Sequence, residues 1–512
     1  GKIIVDETIS VVNGTVLNIV GIDSDATIDG NGNIRMFTVV NASLHLRDIT
    51  MELGYALYGG AIAASRSRIT LDQVIFKANN ASYGGGAMFL TDASSVLFCG
   101  KTTFWNNTAL DGDGGALYIK RESIAVWTAA SQFISNSAEG LGGALFIYNS
   151  NTTWTAASQF RSNSAKLSGG ALYVTGHSSV GWDGESQFKL KNSSNASEGS
   201  TNESGSCSTS WEVNTTFFEN TASGDGGALY LGESSTAFWT GASCFGFNSA
   251  YSAGGALFVV GSSQTSWAEE AVFIENAATG EGGALYLGAS SLAVWTGTSH
   301  FLSNSAQVDG GAVYATDNGT LSWNNNALFA KNTAQSGGAI FVRNGVTISW
   351  SGETNFTSNA ARLNGGAVIN DDISTITFKS ATYFFSNTCE VNGGGMALVQ
   401  SLAVSFRSKN IVFIRNSAGL WGGAIFVAAT RIGPVFRNII FIENSAEVGG
   451  AVLVSGSGTA VTVDINNKQG EHPTTFDGCT FVGNVAFATG GAVDSASGKD
   501  VFVGTVFKGN NA

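Results

Sequence analysis

Gly142-Gly143-Ala144-Leu145-Phe146-Ile147-Tyr148-Asn149-Ser150-Asn151-Thr152-Thr153-Trp154-Thr155-Ala156-Ala157-Ser158-Gln159-Phe160-Arg161-Ser162-Asn163-Ser164-Ala165 is one turn of a repeat that starts again at Gly169-Gly170-Ala171. Within it, three short runs rich in β-branched and aromatic residues are separated by Gly, Asn and Ser corners, which is the pattern of strands joined by turns. No 3.6-residue apolar period runs through the segment, so a helical repeat is excluded.

The same pattern extends in both directions. A phenylalanine followed three residues later by asparagine stands at Phe76, Phe104, Phe133, Phe160, Phe217, Phe245, Phe273, Phe301, Phe329, Phe356, Phe384, Phe413, Phe441, Phe481 and Phe507. With Phe188 included, the steps are mostly 27 to 29 residues, with one of 40 before Phe481 and one of 26 before Phe507. A fixed period of this size marks a solenoid, in which each unit buries its apolar face only against its neighbours. Three strands per turn predict an all-β, right-handed parallel β-helix of about 18 rungs with about 28 residues each, roughly 85 Å long at about 4.8 Å per rung. The predicted organisation is one β-helix domain over 1–512. It has entry rungs without the motif over 1–58, repeats over 59–512, a polar degenerate rung at 189–206 and a loop excursion at 464–474.

Period-2 alternation places Trp154, Ala156, Ser158 and Phe160 on one face, the inner one. The predicted tryptophan column is Trp127, Trp154, Trp182, Trp211, Trp239, Trp267, Trp295, Trp323 and Trp350, extended by Phe98, Phe378 and Phe406. The asparagines should form an inward amide ladder that satisfies backbone groups at a corner. The paired glycines suit a corner that needs positive φ or has no room for Cβ.

Composition narrows the function classes. A net charge of −13 argues against nucleic acid as a partner. No run of 18 apolar residues exists, so no membrane-inserted helix is expected. Of the five cysteines, Cys99, Cys389 and Cys479 read as small apolar residues. Cys207 and Cys244, about one rung apart, are a possible disulfide, since bonding needs Cα atoms within about 7 Å.

The alternation of Phe-x-x-Asn with Gly-Gly-Ala over Gly59 to Ala512 resembles the repeat of the chlamydial polymorphic outer membrane proteins. It also looks like related secreted proteins of the pectin-lyase-like β-helix superfamily in algae and other protists. The resemblance implies a surface-displayed or adhesive rod and no particular chemistry.

Catalytic constellations are sparse. Asp371-Asp372 and Glu269-Glu270 are adjacent acids, and His45, His177, His300 and His472 are widely separated in the chain. Hydrolysis by paired carboxylates needs a matched pair about 5–10 Å apart. Asp371-Asp372 has no Asn-Thr-Asp or Arg-x-Lys partner one repeat away, so solvated corners are the simpler reading. Asp113, Asp225, Glu281 and Asp309 precede Gly-Gly and could stack as a calcium column, but Leu141, Ser168 and Ala253 interrupt it. No catalytic residue, cofactor or metal ligand is therefore assigned.

Asn-x-Ser/Thr sequons stand at Asn13, Asn41, Asn80, Asn106, Asn151, Asn192, Asn195, Asn202, Asn214, Asn318 and Asn355. Those at Asn192, Asn195, Asn202, Asn151 and Asn318 are the foremost candidates for N-glycans. The expectation is an extracellular, non-enzymatic structural glycoprotein of a surface filament, coat or adhesive appendage. The alternatives are a polysaccharide-active enzyme and a glycan-binding adhesin. The apolar stretches Lys2-Ile3-Ile4-Val5 and Phe502-Val503-Gly504-Thr505-Val506-Phe507 carry no polar cap. Head-to-tail pairing with another copy, or with further rungs of a longer chain, is expected to cover them.

Overall fold

All pairings between neighbouring strands in the computed structural model are parallel, and identical repeat positions lie in register. Leu145 pairs with Leu172, Trp127 with Trp154, Phe133 with Phe160, and Ala138 with Ala165. The structure describes residues 1–23, 25–183, 215–400, 403–408, 410–428, 435–455, 474–495 and 500–512. The described residues contain strands and no helix, and they form a right-handed parallel β-solenoid of about 16 turns with ~28 residues per turn. The chain divides into two compact units, Gly1–Val272 and Phe273–Ala512.

The count falls below the expected 18 for a reason visible in the register. Phe160 pairs directly with Phe217, and Trp182 directly with Trp239. Phe188 and Trp211, which sequence spacing had placed between them, lie outside the described residues. Equal spacing in sequence had suggested a rung where the stack closes without one. The entry rungs continue the phenylalanine column as Met51, Ile28 and Ile3, so apolar packing begins before the motif does.

Inside each unit the aromatic columns stack face to face. Trp127 and Trp154 lie 4.2 Å apart at 6°, Trp182 and Trp239 4.8 Å apart at 2°, and Trp323 and Trp350 5.2 Å apart at 9°. Tryptophans of the column also meet the phenylalanine of their own rung edge-on, as Trp154 meets Phe160 at 5.8 Å and 76°. Such ring pairs add about 0.5–1.5 kcal/mol beyond burial of their area. The tryptophan column is thus inside and cannot be an external platform. Two indole N–H groups are satisfied by serines of the preceding rung, Trp154 by Ser131 at 3.1 Å and Trp182 by Ser158 at 3.0 Å. Those of Trp127, Trp239, Trp323 and Trp350 have no partner, so ring packing rather than hydrogen bonding holds this column.

The corner before each Gly-Gly-Ala strand is built around the predicted amide ladder. Asn107 donates from its backbone N and its Nδ2 to Oδ1 of Asn136, each at 3.0 Å, and also from Nδ2 to the Phe76 carbonyl. The residue before each asparagine is left-handed whatever its type: Ala78, Asn106, Ser135, Ser162, Glu219 and Phe247 have φ between 51° and 56°. That conformation costs a non-glycine residue roughly 1–2 kcal/mol, and the ladder offsets it. A second, unanticipated ladder occupies the opposite corner. Backbone N–H groups of Ser94, Ser123, Ser150 and Ser178 donate to Oγ of Ser123, Ser150, Ser178 and Ser235 at 3.1–3.3 Å.

Candidate interaction surfaces

With the core filled by aromatic columns, the groups able to meet a partner are those that alternation turns outward. On the Gly-Gly-Ala strands the outward residue is usually aromatic. Phe146, Tyr173, Tyr230 and Phe258 stack in one unit at 4.3–5.5 Å. Tyr286, Tyr314 and Phe341 stack in the other at 5.2–5.3 Å. Because the rings lie plane upon plane, their faces are used by each other and only edges and hydroxyls remain. Tyr314 is 2% exposed, with the Arg343 guanidinium 5.5 Å from its ring centre. Burial pushes the Tyr118 hydroxyl up to about 12 and raises those of Tyr173 and Tyr230 as well. This column is a seam of external packing more than a sugar-stacking platform. Its signal was an aromatic residue recurring four positions after the first glycine of each pair.

The acids before Gly-Gly mostly serve neighbouring rungs. Asp113 Oδ1 accepts from Leu141 N at 2.8 Å, and Asp225 Oδ1 from Ala253 N at 3.1 Å. Burial raises the Asp113 carboxyl. Among the described residues no group of three or more His, Cys, Asp or Glu side chains is arranged to hold a metal. Asp309 stands apart: burial, and then the charge of Glu281, push its carboxyl up to about 6. Its folded value lies above its unfolded one, so the folded state is favoured while the group is protonated. That contribution is lost as pH rises from about 4 through about 6. Asp309→Asn should therefore stabilise the protein at about pH 7.5, by about 1 kcal/mol once solvent screening of this half-exposed site is allowed for. At about pH 4 the variant and parent should unfold alike. Urea unfolding at both pH values checks this, and equal stability at the higher pH would remove the assigned cause.

The described candidate catalytic residues occupy separate strands and turns within each unit. Asp371 lies on the strand Val368–Asp371, raised by burial and then by the charge of Asp372, and pairs with Val399. Glu269 and Glu270 lie in the other unit. His45 pairs with Asn18 and Thr70, His300 pairs with Leu328, and His177 occupies a left-handed turn at φ 59°. His472 lies outside the described residues.

The sequons separate by local structure. Asn13, Asn41, Asn106 and Asn318 are exposed and left-handed, with φ between 49° and 60°. Asparagine tolerates that region better than most residues, so the turn alone accounts for its presence there. Asn151 is exposed on a strand and accepts from Ser179 N through Oδ1 at 3.2 Å. Asn80 and Asn355 are half-buried, and Asn355 Nδ2 donates to Glu353 at 3.4 Å. Asn192, Asn195, Asn202 and Asn214 lie outside the described residues.

Cys244 is disulfide-bonded, and Cys207 lies outside the described residues. Cys99, Cys389 and Cys479 are free. Cys389 takes the alanine place, pairing with Ala361 and Ala418, and burial pushes its thiol up to about 12.

The short corner strands of the second unit carry a shallow groove of about 590 Å³ that crosses four rungs. One rim is formed by Gln307, Gln335, Arg362 and Glu390.

Comparison with known proteins finds a family whose repeat matches two segments of the chain. Residues 214–232 and 410–428 fit the Chlamydia polymorphic membrane protein repeat. Both segments run from a Phe-x-x-Asn through the following Gly-Gly-Ala strand: Phe217 to Asn220 with Gly226-Gly227-Ala228, and Phe413 to Asn416 with Gly422-Gly423-Ala424. No curated protein and no solved structure matches the chain.

Proposed function

We propose that this chain is a non-enzymatic extracellular glycoprotein, a structural subunit of a surface filament, coat or adhesive appendage. The observation that carries the reading is the surface-protein repeat recognised in two copies, on the residues that build the amide ladder and the glycine corner. The disulfide at Cys244 supports an oxidising compartment. The scattered acids and histidines described above support a role without catalysis.

Axial assembly belongs to the same proposal. Ile3 and Ile4 are 66% and 55% exposed, and Val503 and Phe507 are 51% and 48% exposed. Asn484 donates from backbone N and Nδ2 to Oδ1 of Asn510, whereas the backbone N–H of Asn510 meets no such oxygen among the described residues. Another copy, or further rungs of a longer chain, would cover the apolar strands and supply a hydrogen-bond acceptor there.

One experiment tests both location and modification. Brief protease treatment of intact source cells, followed by mass spectrometry, should release peptides of this chain with glycan mass on Asn151 and Asn318. Release only after lysis would overturn the surface reading. Unmodified Asn151 and Asn318 in released peptides would overturn the glycoprotein part.

A further inference from the structure

The outward aromatic seam changes character where it begins. Phe146 lies flat against Tyr173 at 3°, but Phe89 meets Tyr118 at 88° and Tyr118 meets Phe146 at 71°. The sequence accounts for the change. Phe89 pairs with Ala63 in the preceding rung, so no ring stacks on it from that side. Tyr58 leans in from the adjoining corner instead, 4.8 Å from Phe89 at 36° and 6.3 Å from Tyr118 at 62°. These three inclined rings keep faces free that the stacked rings farther along use on each other.

The free faces enclose one cation. Lys120 stands two residues after Tyr118 on the strand Leu117–Lys120, and so on the same side of it. Its Nζ is 5.0 Å from the ring centres of Phe89 and Tyr118 and 5.5 Å from that of Tyr58. Among the described residues this ammonium makes no hydrogen bond or ion pair. Lys77 and Arg161 also stand over rings, Trp105 and Phe218, but each is held by a carboxylate as well, Glu52 at 3.3 Å and Glu219 at 3.4 Å. Burial and then the charge of Arg121 lower the Lys120 pKa, with Asp92 opposing. Arg121 is itself paired with Asp92 at 3.1 Å. Ring faces alone therefore hold this lysine. Tyr58, Phe89, Tyr118 and Lys120 are all half-buried, and exposed Tyr83 borders them 5.8 Å from Tyr58, so the enclosure is open to solutes.

The enclosure selects among cations. A hard metal ion needs several oxygen ligands, which three ring faces do not supply. A primary amine brings three N–H donors that ring faces satisfy poorly. A quaternary ammonium brings none, and its methyl groups pack on the rings while its charge is drawn to their faces. The Lys120 ammonium stands in for such a group. Its flexible stem has no polar anchor, so it can swing into water and leave the rings to another cation.

We infer that Tyr58, Phe89 and Tyr118 form a binding site for a quaternary ammonium group of the choline class, with Lys120 as its internal placeholder. The inference goes beyond the surface role proposed above and does not depend on it.

The test uses the whole 512-residue chain. Choline is titrated into the protein, and its methyl signal is followed by saturation-transfer NMR. It should bind the parent with Kd on the order of 5 mM, as three half-exposed ring contacts give. Neohexyl alcohol, the neutral carbon isostere of choline, should not bind. Phe89→Leu and Tyr118→Leu should each weaken choline binding about fivefold. Lys120→Ala should strengthen it about tenfold, because a site filled part of the time by its own lysine shows a reduced apparent affinity. Thermal melts check that the variants are folded; should a ring variant melt early, the isostere on the parent and the Lys120→Ala titration still decide. Sedimentation with phosphatidylcholine vesicles reads the source of the ligand. Retention assigns a lipid head group, and choline binding without retention assigns a free solute. Failure of choline to bind both the parent and Lys120→Ala overturns the inference. Equal binding of the neutral isostere, or folded ring variants that bind as the parent does, overturns it too. Such a failure leaves the surface location intact, because that location is tested separately by protease release from cells.

Discussion

Asn136→Ala should destabilise the protein by about 4 kcal/mol, read as a fall in the urea midpoint and as faster amide exchange in the rungs on either side. The side chain is fully buried. Its Oδ1 accepts from Asn107 N and Nδ2, and its Nδ2 donates to Asn163 Oδ1 and the Phe104 carbonyl, all at 3.0 Å. Alanine leaves the Asn107 N–H and one Asn107 amide hydrogen without partners and takes one donor from the Phe104 carbonyl. Each stranded buried group costs roughly 1–3 kcal/mol, and the left-handed strain at Ser135 then loses its compensation. Because stability in a solenoid is a sum over rungs and their interfaces, exchange should quicken nearest the change and recover within a few rungs. Ser137→Ala, at the half-buried outward position next in the chain, should stay within about 0.5 kcal/mol. A loss below about 1 kcal/mol for Asn136→Ala would show that stacking, and not the ladder, holds this corner.

The ladder was legible because its residue type is rare at an apolar spacing and recurs after every phenylalanine. The tryptophan and phenylalanine columns were legible for the same reason, since period-2 alternation gave them a face. The outward aromatic seam was not, because Leu145-Phe146-Ile147-Tyr148 is a continuous apolar run in which alternation is hidden. Nor was the serine ladder, although a serine stands four residues before the tryptophan at Trp127, Trp154, Trp182 and Trp239. Serine is common at turns, and exposed and inward serines look identical in sequence. The direct pairing of Trp182 with Trp239 was missed because spacing alone counts residues and not strands. For function the sequence offered spacing and charge, and these do not show which polar side chains lack partners. The three rings around Lys120 came together only once their strands were stacked.

Gly143→Ala should be the most damaging small substitution in the repeat, costing more than about 4 kcal/mol or preventing folding of the surrounding rungs. A Cβ at this position would lie 2.2–2.5 Å from main-chain atoms, with Gly170 O at 2.2 Å, Ser164 O at 2.4 Å and Ser164 C at 2.5 Å. All three are backbone and cannot rotate away. They belong to the next rung, which Gly143 N already holds through the Gly169 carbonyl at 3.0 Å. Relief therefore requires separating two rungs and losing pairings along the corner, and overpacking a close-packed interior already costs 1–3 kcal/mol where side chains can adjust. Gly288→Ala supplies the contrast. Its Cβ would meet the Tyr286 ring edge at 3.1 Å and the Thr316 methyl at 3.4 Å, both side-chain atoms that can shift slightly. That variant should change stability by less than about 1 kcal/mol. Circular dichroism melts of the two variants against the parent give the comparison. If Gly143→Ala melts with the parent, the glycine pair is there for turn conformation alone, supplied by Gly142 at φ 66°, and rung contact does not require the second glycine.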